Sequence, residues 1–244
     1  MKMNGRHGLE WALIGMLWGL LPLYGGAEEY DGGQSGDRDG GSPKPPAFVY
    51  QPPNRGAPKA RIGGGTRGIN PLRALTPGHV GLTTSDQPRL YWYLAPGFSN
   101  RLRFHLGVAN SALPLLDVPL PPQVNGGIQY LDLAQHGINL APGRVYQWWI
   151  LLEPLPQQGR MKIVSGGALQ RVAPDPQLQN ADARRRPYLA ARQGLWYDAL
   201  DGVSRLVEQG RNTAHWRRQR ADLLEQGGLM EAALYDRDMA ASGR

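Results

Sequence analysis

A chain of 244 residues with no cysteine has room for one ordinary domain, and it must hold its core without disulfides. The missing thiols exclude thiolate nucleophiles and every cysteine-based zinc or iron–sulfur site. The formal net charge of +7 rests on 23 Arg and only 4 Lys, so any basic face is a guanidinium face.

The N-terminus has the three regions read in export. Lys2, Arg6 and His7 give a positive start, an apolar run covers Trp11 to Leu23, and Gly25, Gly26 and Ala27 precede Glu28. This pattern predicts a signal peptide over residues 1–27, with cleavage after Ala27. The run is about thirteen residues long, against roughly twenty for a membrane span, and an uncleaved anchor is the alternative reading. No Cys follows it, so lipoprotein attachment is excluded. The expected product is periplasmic or secreted, with no membrane span after cleavage. Removing residues 1–27 leaves 25 basic and 19 acidic side chains, a net charge of +6. The stretch Arg184 to Arg220 holds nine Arg against Asp198, Asp201 and Glu208, so the mature chain reads as a basic tail on a neutral body.

Residues 28–60 are dense in Gly, Pro, Asp and Ser and offer little apolar surface to offset the entropy of ordering them, which predicts a disordered linker. The turn Gly63 to Gly68 lacks the Gly-Lys-Ser/Thr ending of a phosphate loop, and Pro71 follows it. It reads as a flexible bend where the linker meets the folded region, with Arg61, Arg67 and Arg73 tying it down.

From about His79 to Val172 the period becomes two, within a β-sandwich domain expected over residues 61–174. Arg89 to Leu94 places Leu90, Trp92 and Leu94 on one face and Tyr91 and Tyr93 on the other. Arg101 to Val108 sets Leu102, Phe104 and Leu106 opposite Arg101, Arg103 and His105. Further strands are expected over Ile128 to Leu133, Val145 to Leu152, Met161 to Val164 and Ala168 to Val172, with turns at Pro96, Gly126, Pro142 and Gly166. Such spacing predicts a mainly β fold, an immunoglobulin-like antiparallel β-sandwich. Over residues 175–244 the period turns helical. Leu195, Trp196, Ala199, Leu200, Val203, Leu206 and Val207 form a stripe ending near Gly210, and a second helix runs from Asn212 or Thr213 to Gly227. A shorter helix is expected near Arg184 to Pro187. The pair makes a C-terminal helical hairpin resembling one tetratricopeptide-type unit, too little for an array.

Chemistry-bearing groups are scattered. The five histidines have no metal spacing, Gly-x-Ser-x-Gly and Ser-x-x-Lys are missing, and no catalytic, cofactor or metal residue is assigned. Asp198 and Asp201 lie one helical turn apart, a spacing that suits an acid–base pair but more commonly serves ion pairs, here with Arg192 or Arg205. Asp198 also stands where it can orient neighbouring backbone. Trp92 and Trp148 are expected in the core, while Trp149 and Tyr93, in the opposite phases, are candidates for an exposed contact surface. Arg217, Arg218 and Arg220 are candidates for a docking face on the tail.

Several segments together resemble a bacterial family of exported proteins without an assigned activity, Domain of Unknown Function 928. They are PPNRGAPKARIGGGTRG at 52–68, GLTTSDQPRLYWYLAP at 81–96, GI at 127–128, LAPGRVYQWWILL at 140–152, Arg160, GLWYDAL at 194–200 and LLEQGGL at 223–229. The resemblance implies export and carries over no catalytic residue. The expectation is therefore a non-enzymatic interaction or scaffold module of the cell envelope with a protein partner. A carbohydrate or cell-wall binding module using exposed Trp and Tyr is the alternative, and an unrecognised hydrolase using Asp198 and Asp201 a second. Nucleic acid is not an expected partner, since stacking aromatics are not interleaved with the basic stretch.

Overall fold

A computed structural model describes residues 48–53, 71–97, 101–121, 126–153 and 162–243. The predicted signal peptide, the linker up to residue 47 and the Gly63 to Gly68 bend lie outside the described residues. Residues 45–244 belong to one compact unit.

Among the described residues, eight strands form two sheets. Strands β1 (Leu72–Ala74), β3 (Arg89–Leu94) and β6 (Gly127–Asp132) make a three-stranded antiparallel sheet with β3 in the middle. Strands β2 (Gly81–Thr83), β8 (Ile163–Arg171), β7 (Val145–Glu153), β4 (Arg101–Val108) and β5 (Pro114–Pro119) make the second sheet in that order. The alternation seen in sequence sets the interior. Leu102, Phe104 and Leu106 of β4 and Tyr146, Trp148, Ile150 and Leu152 of β7 are buried, and the rings of Phe104 and Trp148 stack 5.9 Å apart. Each large apolar side chain taken from water contributes on the order of 1.5–3 kcal/mol, which is how a cysteine-free core holds.

Three strand expectations need correction. The second sheet is mixed, because β2 pairs in parallel with β8, through Gly81–Leu169 to Thr83–Arg171. At three residues β2 is too short to show a period, and the same holds for β1. The turn expected at Gly166 does not exist, and β8 runs through it as one strand. Gly166 and Gly167 are there for space: a Cβ at Gly166 would collide with Trp148 O and Trp149, and one at Gly167 with Thr76. The edge strand β5 was not foreseen, being flanked by Pro114 and Pro119, which ordinarily argue against a strand interior.

The C-terminal part is larger than a hairpin. Helices α1 (Pro176–Gln179), α2 (Arg186–Arg192), α3 (Trp196–Glu208), α4 (Thr213–Gln226) and α5 (Met230–Ala241) follow one another, and α2 to α5 each pack on the next. Over the described residues the fold is thus mixed α/β, with two sheets and five helices. Asp175 caps α1 by accepting from Gln177 N at 2.7 Å, with Pro176 in the first helical position. α3 packs on β2 and β3, and α5 on β6. These helices cover the face of β3 expected to meet solvent, so all of Leu90 to Leu94 is buried.

The linker expectation is corrected at its end. Phe48 and Tyr50 are buried, with Phe48 4.3 Å from the ring of Tyr188 and Tyr50 5.0 Å from that of Trp196. Gln51 N donates to Ala191 O at 3.0 Å, while Gln226 accepts from Tyr50 N at 2.8 Å and donates to Phe48 O at 2.9 Å. Two aromatic rings thus pin a proline-rich segment across three helices.

Candidate functional site

The polar chemistry concentrates where α3 meets the sheets. Trp196 Nε1 donates to Leu75 O at 2.9 Å. The hydroxyl of Tyr197 accepts from Trp148 Nε1 at 3.0 Å, bonds Thr76 Oγ1 at 3.1 Å and donates to Ala168 O at 3.2 Å. Burial pushes that hydroxyl up to about 12, with the bonds from Thr76 and Trp148 working the other way, so it stays neutral. At the next position, Asp198 accepts from Thr84 N at 3.0 Å and Thr84 Oγ1 at 2.5 Å. Desolvation raises its carboxyl above the ordinary value, the Thr84 bonds oppose this, and the nearby charge of Asp201 adds to the rise. Asp201 accepts from Tyr91 OH at 2.7 Å and Arg205 Nε at 2.8 Å. The expected pairing of Asp201 with Arg205 is therefore present, and Asp198 orients backbone as anticipated.

Two clefts open at this junction. The first, of about 440 Å³, exposes Thr84, Arg186, Asp198, Asp201 and Arg205 over Leu178 and Leu206. It places the Asp198 carboxyl, raised by desolvation, beside Asp201, which forms an ion pair with Arg205 at 2.8 Å. The second, of about 630 Å³, is lined by Gln129 and Tyr130 of β6, Glu208 of α3, Arg217 and Arg220 of α4 and Tyr235 of α5. Arg89 lies 4.2 Å from the centroid of the Tyr130 ring and donates to Glu208 at 3.0 Å. No group of three His, Asp or Glu side chains among the described residues is placed to hold a metal.

The predicted contact residues disperse. Tyr93 is buried, not exposed, because α5 covers it: its ring lies 5.5 Å from that of Tyr235. Trp149 is half-buried on the outer face of the second sheet, stacked on His105 at 4.0 Å. Arg220 is buried, its Nε and Nη2 donating to Asp236 at 2.6 and 2.8 Å and its Nη1 to Ser204 at 3.1 Å. Arg217 reaches the same carboxylate at 3.3 Å, so of the three arginines only Arg218 faces solvent. The reason lies in Asp236, which sits on the unforeseen helix α5 and draws both guanidinium groups inward. Arg73 makes the expected tie to a carboxylate, Glu231 of α5, at 3.5 Å. Sequence reading missed Thr84, Tyr197 and Asp236; only the Asp198–Asp201 spacing signalled this junction. On its outer side α5 exposes two apolar side chains one turn apart, Met230 at 45% and Leu234 at 50%.

A model of the Domain of Unknown Function 928 family matches residues 60–235. The chain belongs to that family. The match spans both sheets and reaches into α5, so in this Domain of Unknown Function 928 protein the strands and the helices are one family unit. No curated protein matches. A solved multi-domain immunophilin from Arabidopsis thaliana aligns at 9% identity over 68% of this chain and 99% of that chain, with a TM-score of 0.18, too low to indicate a shared fold. No helix among the described residues is long and apolar enough to cross a membrane.

Proposed function

We propose that this family member is exported and works in the bacterial cell envelope as a non-enzymatic interaction module that docks a protein partner on α5. One observation carries the reading. Helices α2 to α5 stack in sequence, and the last helix of such a stack ordinarily turns a polar face outward. Here Met230 and Leu234, one turn apart, share that face with Glu231 and Asp238, and a helix of another protein would bury them. Methionine suits such a contact because its flexible thioether adapts to the surface it meets. Export is supported by the charged, apolar and small-residue regions of residues 1–27.

The test is crosslinking in intact cells. With a benzophenone side chain at position 234, the protein recovered from the envelope fraction begins at Glu28 and carries a protein adduct. With the same group at position 144, in the exposed turn before β7, it carries none. Recovery from the cytoplasm with residues 1–27 intact, or equal adducts at both positions, overturns the reading.

A further inference from the structure

We infer that the larger junction cleft is a saccharide site, with Tyr130 as the platform on which a pyranose ring packs. The inference is independent of the α5 surface, because the cleft lies between β6 and the helices and excludes Met230 and Leu234.

Its volume of about 630 Å³ accommodates one or two sugar rings, and clefts between structural layers are where ligands are commonly held. Sugars present an apolar C–H face and a rim of vicinal hydroxyls. A site for them therefore combines an aromatic ring with planar side chains that bond two hydroxyls at once. The cleft has both. Tyr130 remains 38% exposed although Arg89 lies 4.2 Å from its ring centroid, and that contact with the neighbouring Tyr91, 5.4 Å away, fixes the ring in place. Around it stand two planar groups, the Glu208 carboxylate and the Arg217 guanidinium. Arg217 gives Nη1 to Asp236, while its buried Nε has no partner among the described residues.

Charge decides against an anionic ligand. Arg89 is matched by Asp132 and Glu208, and Arg217 and Arg220 share Asp236. With Glu208 also lining the wall, the cleft carries little excess charge of either sign, which favours a neutral polyol over a phosphate or carboxylate. The site departs from the sequence expectation, which placed glycan contact on Trp149 and Tyr93.

The test is an array of immobilised neutral hexosides, N-acetylhexosaminides and hexuronides, probed with the full chain and three variants. The parent and Trp149→Ala bind the same neutral glycosides. Tyr130→Ala loses at least tenfold in apparent affinity with an unchanged unfolding midpoint, and Tyr130→Trp, which keeps an aromatic face, restores it. The idea is overturned if the parent retains no neutral glycoside, if only hexuronides bind, or if Tyr130→Ala binds as well as the parent. Transfer of the loss to Trp149→Ala overturns it too, by moving the site to the outer sheet face.

Discussion

The two ends of Trp148 sit in different kinds of interior. Its ring stacks on Phe104 among Leu106 and Ile150, where contacts are numerous and non-directional. Its Nε1 points the other way, into the bonds under α3, where Tyr197, Thr76 and Ala168 must meet at fixed angles. Apolar packing loses roughly in proportion to the volume removed. A buried polar network fails differently, since deleting one member leaves its partners desolvated and unpaired. In this molecule the first kind of interior makes the sheets, and the second fastens the helices to them.

That contrast predicts the largest effect among the helices. Asp236→Ala leaves Arg220 buried with one neutral partner, Ser204, and is expected to cost about 3–5 kcal/mol in urea unfolding at neutral pH. The double change Arg220→Met with Asp236→Leu replaces the pair by apolar volume and should recover most of that loss, since Arg217 is only partly buried. A single change costing under about 1 kcal/mol, or a double variant worse than the single, would show that the pair acts as a solvated bridge.

A smaller effect isolates the sheet side of the junction. Tyr197→Phe preserves volume, so any loss reports the hydroxyl alone. Trp148 Nε1 and Ala168 O then lack their partner, with an expected cost of about 1–3 kcal/mol. Stability within about 0.5 kcal/mol of the parent would mean that the network adds no more than a neutral surface position.

What the sequence disclosed follows the same division. Strand β3 and strand β4 were legible to the residue, because each has six or more positions in strict alternation. Helices α3 and α4 were legible from an apolar stripe and from Gly210 and Gly227 at their ends. Strand β8 was split at Gly166 because a glycine pair normally marks a turn, and nothing local shows that Trp148 and Thr76 press on it from across the fold. Helix α5 escaped because its inward side is Ala232, Ala233 and Ala240, giving almost no contrast with its outward side. Without α5 nothing in the sequence sets Asp236 against α4, and Arg217 and Arg220 read as surface charges. Long-range polar pairs leave no period, so the half of the junction built from them was hidden, while Asp198 and Asp201 were visible only through their spacing along one helix.

The smallest expected effect tests whether Asp198 belongs to the fold or to the open cleft. Its carboxyl is held above the ordinary aspartate value, chiefly by desolvation, so in the window above that value the folded chain binds more protons than the unfolded one. Stability from this group is then fully present in acid below the unfolded value and declines as pH rises through the window. Asp198→Asn cannot titrate and resembles the protonated acid, so the two proteins should be equally stable in acid, with the variant gaining on the parent as pH rises. The neighbouring Asp201 keeps its ion pair with Arg205 in both proteins. Melting temperatures from about pH 4 to about pH 8 provide the comparison. Curves that stay parallel would mean that water in the cleft solvates Asp198 fully, placing it with the exposed surface and leaving Thr84 as an adventitious neighbour.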